Sequence, residues 1–249
     1  MRRYGRGWGL VVLALINAAA LAGEADAVVQ WSGRVELSLP VSGVIAQVNV
    51  QAGERVAKDQ VLLALDATPF SNALRAAEAR ATRAKSERDE AARDAKQAKE
   101  LYDRTVLSTV DLENARMKHD RAEAAYQEAR AALDQAAYRL KVSAVRAPYD
   151  AWVLKREAQP GQTVSADIKP PTLLVLASAA EYLAVLRLPP ERLGNLKVGQ
   201  AVEVNVAGKK YPGQIRSIGL EPGKDHALEV AFATDEALRA GQVARVNLP

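Results

Sequence analysis

Two histidines, His119 and His226, are the only imidazoles in a 249-residue chain that contains no cysteine. They fall on separate expected elements, whereas a metal site needs His, Cys or carboxylate ligands converging on one point. No metal or other cofactor is expected. Beyond Met1 the chain has one methionine, Met117, too few thioethers for a copper relay. Serine hydrolysis requires a nucleophile elbow with an acid–histidine pair beside it, and neither pattern occurs. The Gly5-Arg6-Gly7-Trp8-Gly9 run is not a phosphate-binding loop and lies in an N-terminal leader. These residues describe a protein that is not an enzyme. The 34 Lys and Arg against 30 Asp and Glu give a net charge of +4. That charge is too evenly mixed for the clustered basic face of a nucleic-acid binder, so no nucleic-acid partner is expected.

Arg2, Arg3 and Arg6 precede an apolar run from Leu10 to Ala22, followed by two small-x-small sites, Ala20-Leu21-Ala22 and Ala25-Asp26-Ala27. This is the layout of a secretory signal peptide. The run is short of the roughly 20 residues of a membrane-spanning helix. Residues 1–27 are therefore expected to be a signal peptide cleaved after Ala22 or Ala27, with an uncleaved inner-membrane anchor as the alternative. Removing all 27 takes away three positive and two negative charges and leaves +3.

Between Pro69 and Pro148 run 78 residues without glycine or proline. A breaker-free stretch rich in Ala, Glu, Lys and Arg reads as helix. Thr68 is its expected N-cap and Pro69 its first helical residue. Phe70, Leu74, Ala77, Ala81, Ala84, Arg88, Ala91, Ala95, Ala98 and Tyr102 follow alternating steps of four and three. Leu112, Ala115, His119, Ala122, Tyr126, Ala129, Leu133, Ala136 and Leu140 repeat the pattern. Paired in opposite directions, the numbers sum to 213 or 214 at every level, which an antiparallel two-helix coiled coil requires. The turn should lie near residues 104–108, and Ser108-Thr109-Val110-Asp111 resembles a capping box. Each arm has roughly 32 to 35 residues, so the hairpin should extend about 50 Å. Of the chain's 48 alanines, 19 lie between Pro69 and Leu140, where small side chains let two helices approach. His119 is expected at the edge of the seam, and Arg88 level with Tyr126, where its guanidinium can stack on the ring.

The flanks of the hairpin repeat each other. Gly43-Val44-Ile45 followed by Ala52-Gly53-Glu54-Arg55-Val56 recurs 108 residues later as Ala151-Trp152-Val153 followed by Pro160-Gly161-Gln162-Thr163-Val164. After a short insertion, Val61–Leu65 matches Leu173–Ala177. Each copy alternates around a glycine turn, a strand–turn–strand signal, so one small β domain is interrupted by the hairpin. From Ala180 onward, runs at 182–188, 201–206, 211–218, 227–232 and 243–248 read as a small barrel or sandwich. Pro189-Pro190, Gly199, Pro212-Gly213, Pro222-Gly223 and Gly241 are the expected separators. Leu196-Lys197-Val198-Gly199-Gln200 echoes 42 residues later as Leu238-Arg239-Ala240-Gly241-Gln242.

Val41-Ser42-Gly43-Val44, Gly53-Glu54-Arg55-Val56, the helical hairpin, Arg146-Ala147-Pro148-Tyr149-Asp150 and Pro160-Gly161-Gln162-Thr163-Val164 together resemble the periplasmic adaptor, or membrane fusion, proteins of tripartite export pumps. These are the HlyD-like adaptors, and the branch serving RND-type pumps is the nearest. The resemblance implies an elongated, multidomain α+β fold: a lipoyl-like β-sandwich interrupted by an antiparallel α-helical coiled-coil hairpin, followed by a small β-barrel domain. Its expected parts are the leader at 1–27, a strand of the barrel at 28–37, sandwich halves at 38–68 and 142–179, the hairpin at 69–141 and the barrel at 180–249. Ala151 stands where the family usually has glycine. Lipoyl carrier domains present a modified lysine where this chain has Leu65-Asp66-Ala67-Thr68, so a carrier role is not expected. Longer RND-type adaptors add a membrane-proximal domain, which is not expected in this chain.

The resemblance also implies a docking site. RND-type adaptors carry Leu and Arg on the first helix, Ser near the turn, and apolar, acidic and Ala positions on the second, which contact an outer-membrane channel. Leu101, Ser108, Leu112, Glu113 and Ala115 have matching spacings. The family's Arg is Gln97 here, with Arg104 close by. Leu101 and Leu112 equally suit the coiled-coil seam, and Ser108 a helix cap. The implied partners are an inner-membrane transporter, RND-type first, an outer-membrane channel of the TolC type, and further copies of the chain in a ring, a hexamer or trimer of dimers. The implied location is the periplasm at the inner membrane. Alternatives are an adaptor of an ABC-type exporter or other envelope complex, and a standalone coiled-coil chaperone or carrier module.

Overall fold

The breaker-free stretch forms two long antiparallel helices, and the repeated flanks form strands on either side. The computed structural model describes residues 23–166, 170–219, 225–234 and 236–248. Strands β1 (Gly23–Trp31), β2 (Val35–Leu37), β3 (Gly43–Val48), β4 (Arg55–Val56) and β5 (Val61–Leu65) precede helices α1 (Thr68–Asp103) and α2 (Thr109–Val142). After them come β6 (Ala144–Arg146), β7 (Ala151–Arg156), β8 (Thr163–Val164), β9 (Leu174–Ser178) and β10 (Tyr182–Leu188). A single-turn helix α3 (Pro190–Leu193) leads to β11 (Ala201–Val206), β12 (Lys209–Ile218), β13 (His226–Phe232) and β14 (Val243–Leu248). None of the described helices is long and apolar enough to cross a membrane.

Residues 33–180 form one compact unit. Its sandwich has two four-stranded sheets, β2-β9-β7-β4 and β6-β5-β3-β8. The repeat explains the topology, because each half places strands in both sheets. Gly43 pairs with Val164 and Val56 with Ala151, so the second copy meets the first in the register that the first offers the second. The turns match as well. Gly53 N donates to Val153 O at 2.7 Å, and Gly161 N to Ile45 O at 2.8 Å. Both glycines adopt positive φ, +87° and +83°, where a Cβ would be strained. Ile45, Leu62, Leu63, Val153, Leu174 and Leu176 fill the space between the sheets. Ala151 is fully buried within β7 and needs no positive φ.

Residues of the hairpin occupy the faces that their spacing assigns. Ala77, Ala81, Ala84, Ala91 and Ala98 are buried on α1 and Leu112 on α2. Every other heptad position is at least half-buried except Tyr102, which is exposed. Arg88 lies level with Tyr126, its Cζ 4.7 Å from the ring centroid. Its Nε is 3.0 Å from Asp89 Oδ1 without the alignment of a hydrogen bond, and Nη1 approaches Glu123 at 3.7 Å. His119 is at the seam edge, 3.4 Å from Asp120. The start of α1 differs from expectation: Thr68 lies inside the helix, and Asp66 Oδ1 accepts its N–H at 2.9 Å. Ala67 holds the N-cap position without a side-chain cap, and the Asp66 carboxylate just before it takes one free N–H of the first turn. Those hydrogen bonds from Thr68 hold the Asp66 carboxyl below the ordinary aspartate pKa.

The second unit joins β1 and Ser32 to residues 181–248. It is a closed six-stranded antiparallel barrel in the order β1-β10-β13-β12-β11-β14, with β14 pairing back onto β1. Val29, Leu186, Val204, Val230 and Val246 fill it, with Tyr182 and Phe232 stacked 6.0 Å apart. The echoed glycine turns recur with the geometry of the sandwich, Gly199 N donating to Ile215 O and Gly241 N to Val29 O, each at 2.8 Å. Two boundaries need correction. The barrel strand expected over 28–37 runs from Gly23 to Trp31, while Val35–Leu37 pairs with β9 in the sandwich. Pro212-Gly213 does not separate strands. It sits within β12, where Gly213 leaves room that a Cβ would lose to Val204 Cγ2 at 2.9 Å. The Pro222-Gly223 separator lies outside the described residues.

Candidate functional site at the hairpin tip

The tip is built by two helix ends of different chemistry. Helix α1 stops because Thr105 adopts φ +62°. Thr105 N then donates to Tyr102 O at 2.8 Å and Val106 N to Leu101 O at 3.0 Å. These two bonds define a Schellman motif, which normally has glycine in the left-handed position. A β-branched residue there is strained by its Cβ. Helix α2 starts at an extended Ser108, whose Oγ accepts the Asp111 N–H at 3.2 Å. The same hydroxyl donates to Asp111 Oδ2 at 2.6 Å. Asp111 also places a negative charge at the positive end of the helix dipole.

Leu101, Arg104, Ser108, Leu112, Glu113 and Ala115 are brought together at this end of the hairpin, with unequal surfaces. Leu112 is only 4% exposed, so its side chain closes the seam. Ser108 is occupied as a cap. Leu101 and Ala115 are half-buried, while Arg104 and Glu113 are exposed, Glu113 paired with Arg116 at 3.0 Å. Sequence reasoning missed the most exposed apolar side chains of the tip. Val106 is 70% and Val110 68% exposed, with Tyr102 and Met117 exposed beside them in sequence. Val110, Glu113 and Met117 recur at i, i+3 and i+7 and share one face of α2. The signal was present: Val106 and Val110 are apolar but off the heptad, so they cannot belong to the seam.

Charges support the helices more than the tip. Lys118 Nζ reaches Asp94 Oδ2 across the two helices at 2.8 Å, and Lys99 reaches Asp103 at 2.9 Å. Hydrogen bonding to Asp94 and its charge raise the Lys118 pKa. These exposed pairs add little stability individually. Apolar side chains framed by Arg104, Glu113 and Arg116 suit helix-against-helix docking, in which a few buried side chains dominate. Among the described residues no cluster of His, Asp or Glu forms a metal site.

Residues 34–173, more than half of the chain, match the CzcB-like barrel-sandwich hybrid domain. The macrolide export protein MacA of Escherichia coli O157:H7 is 27% identical over 232 residues, covering 86% of this chain and 62% of MacA. YdhJ of Escherichia coli K12, an uncharacterized protein, is 26% identical over 188 residues, covering 75% of this chain and 65% of YdhJ. The chain thus spans under two thirds of these relatives. Among solved structures, the membrane fusion protein Spr0693 of Streptococcus pneumoniae R6 superposes with a TM-score of 0.69 at 18% identity, covering 91% of this chain and 98% of Spr0693. A MacA chimera carrying the α-hairpin of Pseudomonas aeruginosa MexA gives 0.69 at 21%, covering 90% and 80%. The family match spans the split sandwich and the inserted hairpin, and the chain belongs to the CzcB-like periplasmic adaptor, or membrane fusion, protein family.

Proposed function

We propose that this adaptor works in the periplasm as a non-catalytic bridge between an inner-membrane transporter and an outer-membrane channel of the TolC type, assembled as a ring of copies. One observation carries the reading: a two-helix hairpin of 36 and 34 residues ends in exposed Tyr102, Val106, Val110 and Met117. Large apolar surface at the far end of a projecting hairpin serves contact with another molecule. The name of the MacA relatives supports an export role.

The transporter is RND-type on the spacing of Leu101, Ser108, Leu112, Glu113 and Ala115. Gln97 replaces the arginine of the RND-type pattern, which bears on the identity of the channel partner, and the second reading is an adaptor of an ABC-type exporter. Site-specific photocrosslinkers at Val106 and Leu101, in cells with candidate channels and transporters of both classes, test the proposal. Adducts with a channel from these positions are expected. If only inner-membrane or soluble partners are captured while the protein is correctly exported, docking at the tip is wrong. The class of transporter that co-purifies decides between the two pumps.

A further inference from the structure

We infer that the export leader ends at Ala22 and that Gly23 is the first residue of the mature protein. The inference rests on reading residues 1–22 as an export leader, and the structure then chooses between its two cleavage motifs. Ala25-Asp26-Ala27 satisfies the small-x-small rule of signal peptidases, but it lies within β1. A barrel strand generates the same pattern for a different reason, since alternate side chains enter a narrow interior and must be small. Ala25 and Ala27 are 8% and 3% exposed inside the barrel. Asp26 faces outward, its Oδ1 3.7 Å from Arg245 Nε, and Glu24 Oε2 is 3.5 Å from Arg245 Nη1.

Cleavage after Ala27 would remove five of the six residues by which β1 pairs with β14, Gly23 opposite Leu248 through Ala27 opposite Ala244. One edge of β14 would lose its partner, with backbone donors and acceptors unpaired and the barrel open. Cleavage after Ala22 leaves the strand whole. Ala20 and Ala22 supply the small residues at the third and first positions before the bond. Water adds across the Ala22–Gly23 peptide under a membrane-bound signal peptidase, leaving a carboxylate on Ala22 and an amine on Gly23. The new terminus is the first residue of β1.

Intact-mass analysis of the full-length chain, recovered from the periplasm of a Gram-negative host through a C-terminal tag, should show a start at Gly23. A start at Val28 overturns the assigned site but keeps the leader. A chain still beginning at Met1 overturns the site, and its retention in the cytosol overturns the leader too. A second measurement addresses the reason for the choice: leaderless chains beginning at Gly23 and at Val28 are compared by thermal unfolding. The shorter chain should melt lower by more than about 5 °C or fail to fold. Equal midpoints would show that β1 does not need Gly23–Ala27 and would remove the argument.

Discussion

Along the shaft of the hairpin the buried side chains of α1 are all alanines, Ala77, Ala81, Ala84, Ala91 and Ala98, whereas at the tip Tyr102, Val106, Val110 and Met117 keep large apolar surface in water. The shaft buries little area per residue but allows its helices to lie close, with Arg88 stacked on Tyr126 and Lys118 bound to Asp94 at its margins. The tip holds a strained Thr105 and a two-way Ser108–Asp111 cap beside Val106 and Val110, which lie off the seam and stay largely exposed. The difference separates two tasks. Alanine spacing lets the two helices lie close along the shaft, and the apolar surface kept off the seam is what the proposed docking would use.

The largest effect should follow from breaking the shaft. Ala91 is 1% exposed, so Ala91→Asp buries a carboxylate with no cation assigned to it and should lower stability by about 3 kcal/mol. Ala79→Asp, on an exposed face of α1, should leave the helical melt within about 0.5 kcal/mol of the parent. Circular dichroism melts at 222 nm read both, and equal melts would mean the alanine seam does not hold the helices together.

Next in size is Leu112→Ala, where shaft and tip meet. The side chain is nearly fully buried, so truncation should cost about 2–3 kcal/mol. Val110→Asp, two residues earlier and exposed, should leave the melt unchanged and abolish crosslinking to the channel. If Val110→Asp destabilises the hairpin as much as Leu112→Ala, the division between a supporting and a presenting side chain fails.

Much of this comparison is written in the sequence. The seam is legible because steps of three and four repeat over nine levels, and only residues facing the partner helix obey them. The turn at 104–108 is legible because β-branched residues interrupt strong helix formers. The sandwich is legible because its halves are copies. The roles at the tip are not, because capping and docking draw on the same residue types: a serine before an aspartate three residues on satisfies both descriptions. Nor does the sequence choose between the two expected cleavage motifs, since Ala25-Asp26-Ala27 is small-x-small for a peptidase and small-polar-small for a barrel strand. The start of α1 escaped because Asp66 acts across one intervening residue, outside the pattern that made Thr68 the candidate.

Smaller effects distinguish strain from fit at the tip. Thr105→Gly removes the left-handed penalty of a β-branched residue and should stabilise the hairpin by about 1 kcal/mol, a higher melting midpoint. Channel crosslinking from Val106 then separates two consequences. Unchanged capture means the strained turn only ends α1. Weakened capture means the restricted backbone at Thr105 preorganises Val106 for its partner, and flexibility at the tip is costly to docking.

The smallest effect belongs to the foot of the hairpin. Asp66 accepts the Thr68 N–H at the start of α1, and hydrogen bonding from the Thr68 side chain first, and from its backbone N–H second, lowers its pKa below the ordinary aspartate value. With the folded pKa depressed, the group's stabilising contribution is complete above the ordinary value and disappears as pH falls through the folded one. Asp66 is exposed, so solvent screens the interaction and the slope should be shallow. Asp66→Asn can still accept the N–H but does not titrate, so its melting midpoint should fall less steeply than the parent's below the ordinary aspartate range. Parallel acid limbs for the two chains would assign the hold on α1 to the amide-accepting oxygen alone and leave the charge of Asp66 without a part in it.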